Sequence, residues 1–139
     1  MLKTLLFAII FSLFLNAYEL VVVANKTFPE ENLSIHDIRS LFLDKKHTIH
    51  HEKILVMNHP FNHPLRRCFE EKILHKSPKS LERYWRKAYY QGKRPPKIIK
   101  SMAMLFAYLD QVHPSIGYSD TNRSQTDNVQ ILYTIECDE

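Results

Sequence analysis

Leu20-Val21-Val22-Val23-Ala24 is a continuous apolar run rich in β-branched residues, the composition of a strand buried on both faces. A polar stretch with Pro29 follows. Ser34 then stands as a helix N-cap, with Asp37 as the acid of a capping box. Behind it Ile35, Ile38, Leu41 and Phe42 recur at helical spacing. Residues 45–52 read as a polar loop, 54–57 as a second short strand and 58–62 as a turn. Pro64 suits the first turn of a second helix, in which Leu65, Cys68, Phe69 and Ile73 share a face. Ser77-Pro78 caps a third helix, where Leu81, Tyr84, Trp85, Ala88 and Tyr89 fall at i, i+3, i+4, i+7 and i+8. Gly92 is its natural stop. After the stiff basic linker Lys93-Arg94-Pro95-Pro96, Ser101 caps a fourth helix with Met102, Leu105, Phe106, Leu109 and Val112 inward. A short strand over 115–118, a polar loop over 119–127 and an alternating strand over 129–135 complete the chain. Strands separated by helices predict an α/β layered domain with a mainly parallel sheet flanked by helices.

Upstream of the first strand, Met1-Leu2-Lys3-Thr4 is a short basic start, 5–15 is an apolar run broken by Ser12, and Ala17 is a small residue before the polar Tyr18-Glu19. This is the pattern of a cleavable secretory signal. It predicts a leader of residues 1–17 and one exported, periplasmic domain of residues 18–139. The apolar run is shorter than the roughly 18 residues a spanning helix needs.

The whole chain has 139 residues and a formal charge of +4, which falls to +3 without Lys3. That mild excess suits a small anionic partner. Lys and Arg read as scattered, so no nucleic-acid footprint is expected. Cys68 and Cys137 are permitted to bridge in an exported compartment. Their positions, one on the apolar side of a helix and one near the end, favour two separate thiols. No GxSxG, HExxH or glycine-rich phosphate loop is present, so neither an enzyme nor a cofactor is expected. Glu70-Glu71 reads as a solvated helix face. His59 and His63 flank a proline-bearing turn, which does not set both rings on one helical face, and no carboxylate or cysteine completes a metal-ligand pattern.

In open α/β sheets, ligands sit beyond the carboxyl ends of strands, near helix N-termini. Residues 25–27, 58–66 and 100–102 fit that description. The middle segment is richest, with Asn58, His59, Asn62, His63, Arg66 and Arg67 around a strand-to-helix turn. Free N–H groups of a first helical turn and the helix dipole attract anions, and an arginine fork suits phosphate, sulfate or carboxylate. By spacing alone, an ion pair between Arg66 and Glu70, four residues on, is the stronger reading.

Several segments, taken in order, carry a resemblance. They are Val21-Val22-Val23-Ala24-Asn25, Ile38-Arg39-Ser40-Leu41-Phe42-Leu43, Pro64-Leu65-Arg66 with Phe69, Tyr84-Trp85 with Arg94-Pro95-Pro96, and Ser115-Ile116-Gly117-Tyr118. The sequence resembles the periplasmic phosphate-binding proteins of ABC importers, and in particular their short single-domain relatives. The resemblance implies a single lobe of the type II solute-binding fold, where full-length members close two lobes on an anion. It also implies that Arg66 is the ligand-loop arginine. The loop departs from the full-length pattern, since Asn62-His63-Pro64-Leu65 replaces a Gly-Ser-Gly-Thr run. Two hydroxyl donors are lost, Pro64 has no N–H, and His63 takes the serine position. The candidate ligand-binding residues are therefore Arg66, His63, Asn58, Asn62, Leu65 and Ser101.

The function implied is extracytoplasmic binding of inorganic phosphate or a similar small anion, for uptake with an ABC permease or for sensing. The alternative is a module that kept the fold and docks a partner or self-associates. A single lobe offers half a cleft, so affinity for a small anion should be weak unless something covers it.

Overall fold

The computed structural model describes residues 17–29, 33–121 and 128–138. Residues 1–16 of the expected leader and most of the expected loop at 119–127 lie outside the described residues. No helix among those described is long and apolar enough to cross a membrane.

The strands are β1 (Tyr18–Asn25), β2 (Thr48–Ile49), β3 (Glu52–Lys53), β4 (Leu55–Asn58), β5 (Lys97–Ile98), β6 (Ser115–Asp120) and β7 (Val129–Cys137). The helices are α1 (Ile35–Phe42), α2 (Pro64–Phe69), α3 (Pro78–Tyr90) and α4 (Met102–Gln111), with a π-helical turn Glu70–Leu74 continuing α2. The main sheet runs in the order β5-β4-β6-β1-β7. β4 pairs parallel with β5 and β6, while β1 pairs antiparallel with both β6 and β7. Four strands thus point one way, as expected of a mainly parallel sheet, and β1 is inserted against them.

The residues of β1 from Leu20 to Asn25 are buried. Its alternate side chains feed two cores. Leu20, Val22 and Ala24 pack with Phe42, Phe69 and Tyr118 beneath α1 and α2. Val21 and Val23 pack with Met57, Leu105 and Leu109 beneath α4. The expected caps form as read. Ser34 and Asp37 make a reciprocal capping box, Ser77 caps α3, Ser101 caps α4, and Gly92 follows α3 with φ +81°. Gly117 permits a close approach of α4 to β6, since a Cβ there would lie 2.5 Å from Leu105 Cδ1.

Four expectations are corrected. The polar loop at 45–52 contains the small β2–β3 hairpin, turned by His50 and His51 at φ 48° and 68°. Val112 lies past the end of α4 and is exposed, because the helix stops at Gln111. Glu70 is buried, because it folds back onto Arg66 one helical turn earlier and pairs with it. Cys68 and Cys137 form a disulfide, with Cα atoms 5.8 Å apart. β7 runs on to Cys137 and pairs that residue with Tyr18, which brings it onto the buried side of α2. That proximity follows from strand order, which helix-face periodicity does not report.

Candidate functional site

β4 ends at Asn58, and the chain turns tightly over Pro60 to His63, whose N–H donates to the Pro60 carbonyl at 2.9 Å. This turn places α2 against the carboxyl edge of the sheet. Asn58 Oδ1 accepts from the His59 N–H at 2.9 Å and also from the Tyr118 hydroxyl. The Asn58 carbonyl accepts from Ile99 N–H at 2.9 Å. Asn58 is therefore a buried brace between β4, β5 and β6.

His59 is almost fully enclosed. Its Nε2 donates to the Tyr118 carbonyl at 2.7 Å, which fixes the Nε2–H tautomer because a carbonyl can only accept. Burial first, then the nearby His63 and Arg66 charges, pull its pKa from 6.5 down to about 4, against the hydrogen bond to Tyr118. The ring is neutral near pH 7. The His63 ring stacks on it at 4.6 Å between centroids. The proline-bearing turn, with no helical spacing involved, thus brings the two imidazoles together. Tyr118 is wholly buried and its ring lies flat on Phe69 at 4.2 Å. Burial raises its hydroxyl pKa, so it acts as a neutral donor.

His63 is the N-cap of α2, and its Nδ1 accepts from the Leu65 N–H at 3.2 Å. The N–H groups of Arg66 and Arg67 both reach the His63 carbonyl, at 3.0 and 3.2 Å. With Pro64 lacking an N–H, the donors of the first turn are used internally. The free amide nest expected there is not formed. The Leu65 side chain is core, so it does not face a ligand. Asn62 is exposed on the turn. Ser101 stands beyond β5, at the same sheet edge, and its Oγ caps α4 by accepting from the Met104 N–H at 3.1 Å.

Arg66 does what its spacing to Glu70 predicts. Nε donates to Glu70 Oε1 at 2.6 Å, and Nη1 donates to the His59 carbonyl at 3.0 Å. The guanidinium lies 5.6 Å from the centroid of Phe61, which is 61 % exposed. The Arg66 side chain is 19 % accessible and that of Glu70 8 %. Two open depressions flank the pair. One, of about 430 Å³, touches Arg66, Glu70, Phe61 and Trp85. The other, of about 630 Å³, touches Glu70, Phe61, Arg67 and His75.

Residues 25–27, expected at this edge, lie at the other end of the sheet. Because β1 runs against its neighbours, Asn25 meets the start of β6, where its Oδ1 accepts from the Ser115 N–H at 2.9 Å. Tyr118 and Glu70 join the site without standing among the residues expected there. The i, i+4 spacing was a signal for Glu70; nothing local marks Tyr118 as a partner of Asn58.

Solved structures resemble this chain in fold. An ABC-type phosphate transport receptor from Vibrio cholerae matches 84% of this chain and 46% of its own, at 13% identity and a TM-score of 0.65. A phosphate ABC transporter substrate-binding protein from Clostridium perfringens, solved with bound phosphate, matches 84% and 44%, at 14% identity and a TM-score of 0.67. PstS from Borrelia burgdorferi matches 84% and 47%, at 12% identity and a TM-score of 0.62. The fold is one lobe of a periplasmic binding protein. The chain spans less than half the length of the proteins it matches. No family model and no curated protein matches the sequence.

Proposed function

We propose that this chain is an extracytoplasmic binding-protein lobe whose anion contact is the Arg66 side chain, with His63 beside it, and whose fork is held by its own Glu70 in the free state. Inorganic phosphate or a related small oxyanion engages Arg66 by displacing Glu70. A partner that covers the open edge, such as an ABC permease or a sensor, strengthens the hold. Export through the leader of residues 1–17 is part of this reading. The observation that carries it is the 2.6 Å pairing of Arg66 Nε with Glu70 Oε1 at the carboxyl edge of β4. A carboxylate oxygen occupies the donor that an oxyanion would use.

Calorimetry with phosphate, sulfate and small carboxylates tests this reading on three proteins. The wild type should bind weakly, Glu70→Gln more tightly, and Arg66→Ala not at all. Absence of heat in both the wild type and folded Glu70→Gln would sink the anion reading. The second reading is partner docking without an anion, favoured by exposed Phe61 between two open depressions. A strictly monomeric protein that recovers no partner on crosslinking would count against that.

A further inference from the structure

Basic residues are concentrated in one stretch of the chain and not scattered. Eight of the 19 Lys and Arg lie between Lys79 and Lys100, where Glu82 is the only acid, a formal +7. The rest of the chain holds eleven basic residues and fourteen acids, a formal −3. The fold concentrates this segregated charge further. Lys79, Arg83, Arg86 and Tyr90 fall at i, i+4, i+7 and i+11 of α3, which places them on one stripe. The buried Leu81 and Ala88 lie on the opposite side. All four stripe residues are exposed, and Tyr90 is 87 % accessible. Arg86 pairs with Glu82 at 2.9 Å, leaving the segment with a large excess of positive charge. At the end of the helix the Arg94 guanidinium lies 4.2 Å from the centroid of Tyr89.

We propose that the outer face of α3 docks the protein on an anionic lipid bilayer. The stripe is the convex side of a helix, and a convex basic face matches an extended planar anion. Lysine and arginine with exposed tyrosine form the composition that settles at headgroup level, where the rings span the polar boundary and the cations meet lipid phosphates. A single-stranded nucleic acid would use open aromatic faces as stacking platforms. Here Arg94 covers one face of Tyr89, and Tyr90, the open ring of the stripe, stands at 85° to it, so the two do not make a run of parallel platforms for successive bases. The bilayer is therefore the better match. This inference does not depend on the oxyanion reading.

The test is co-sedimentation of the full chain with vesicles of phosphatidylcholine mixed with phosphatidylglycerol, and with pure phosphatidylcholine, at low and high salt. Pure phosphatidylcholine reports the contribution of the apolar residues 5–15, which every variant shares. Binding should favour the anionic vesicles and fall as salt screens the charges. The variant Lys79→Glu/Arg83→Glu/Arg86→Glu should lose on the order of 100-fold in partitioning onto anionic vesicles. Reversal of three basic residues elsewhere, Lys26→Glu/Lys45→Glu/Lys53→Glu, should lose far less. If the first variant fails to fold by circular dichroism, the Gln series at the same positions replaces it. Equal binding to both vesicle types, or equal losses in the two triple variants, overturns the proposal. So does preferential binding of a single-stranded oligonucleotide with no binding to anionic vesicles.

Discussion

Arg66 and Glu70 hold each other one helical turn apart, with Nε 2.6 Å from Oε1, while Arg66 Nη1 ties the same guanidinium to the His59 carbonyl at 3.0 Å. The pair is mostly enclosed, so removing one partner leaves the other poorly compensated. Glu70→Ala should lower the unfolding free energy by about 1–3 kcal/mol, read from urea denaturation. The double variant Arg66→Met/Glu70→Leu should recover most of that loss, because it leaves no unpaired charge. Additive losses in the double variant would show that the two residues do not act as a pair.

The stability of the fold should depend on pH through His59. Its pKa is about 4 in the fold and 6.5 when unperturbed, so the unfolded chain takes up the proton first as pH falls. Stability from this group is therefore complete above pH 6.5, declines as pH drops from 6.5 to 4, and levels off below. The loss is about 3 kcal/mol. His59→Gln should flatten that part of the profile. In NMR, the His59 ring signals should stay constant from neutral pH to pH 5; a midpoint near 6.5 would refute the assignment.

Much of the fold was readable because it rests on local rules. Ser34 with Asp37, Pro64, Ser77 and Ser101 mark helix starts through backbone groups only a few residues away, and Gly92 marks an end in the same way. The α/β class followed from alternating strands and helices. The antiparallel placement of β1 was hidden, since Leu20 to Ala24 would look the same in either direction. That hidden direction sent Asn25 away from the site. The site itself was half readable. Arg66 and Glu70 announce each other by spacing, but the Asn58–Tyr118 hydrogen bond joins residues 60 positions apart. The use of His63 Nδ1 as a cap removed the amide donors that a helix start normally offers.

Tyr118→Phe tests the buried brace. Loss of the hydroxyl removes one donor from Asn58 Oδ1, which keeps the His59 N–H. Because the acceptor stays satisfied, the cost should be about 0.5–1.5 kcal/mol in chemical denaturation. A cost well above that range would mean that the hydroxyl does more than brace Asn58.

Gly117→Ala tests the approach of α4 to β6. The added Cβ would fall 2.5 Å from Leu105 Cδ1, and Leu105 is fully buried. The helix or the leucine must move, at a cost of about 1–3 kcal/mol. Leu105→Ala in the same background should relieve part of the strain, giving less than additive destabilisation.

Joining Cys68 to Cys137 closes a span of 69 residues. Replacing both with Ser should cost about 2–5 kcal/mol, measured by thermal unfolding with the wild type in the presence and absence of reductant. If the reduced wild type and the double variant melt with the oxidised wild type, the bridge contributes nothing to the fold.

The placement of β1 between β6 and β7 has a consequence for the order of events during synthesis. Tyr18 pairs with Cys137, and Leu20 pairs with both Asp120 and Ile135. Among the described strands, β1 is thus made before the two that seal it. A nascent chain lacking them presents an apolar ribbon with both hydrogen-bonding edges open, the state most exposed to misassociation. Folding attempted before residues 115–137 have emerged should therefore be unproductive, and a holding factor that shields residues 20–24 until then should raise the yield.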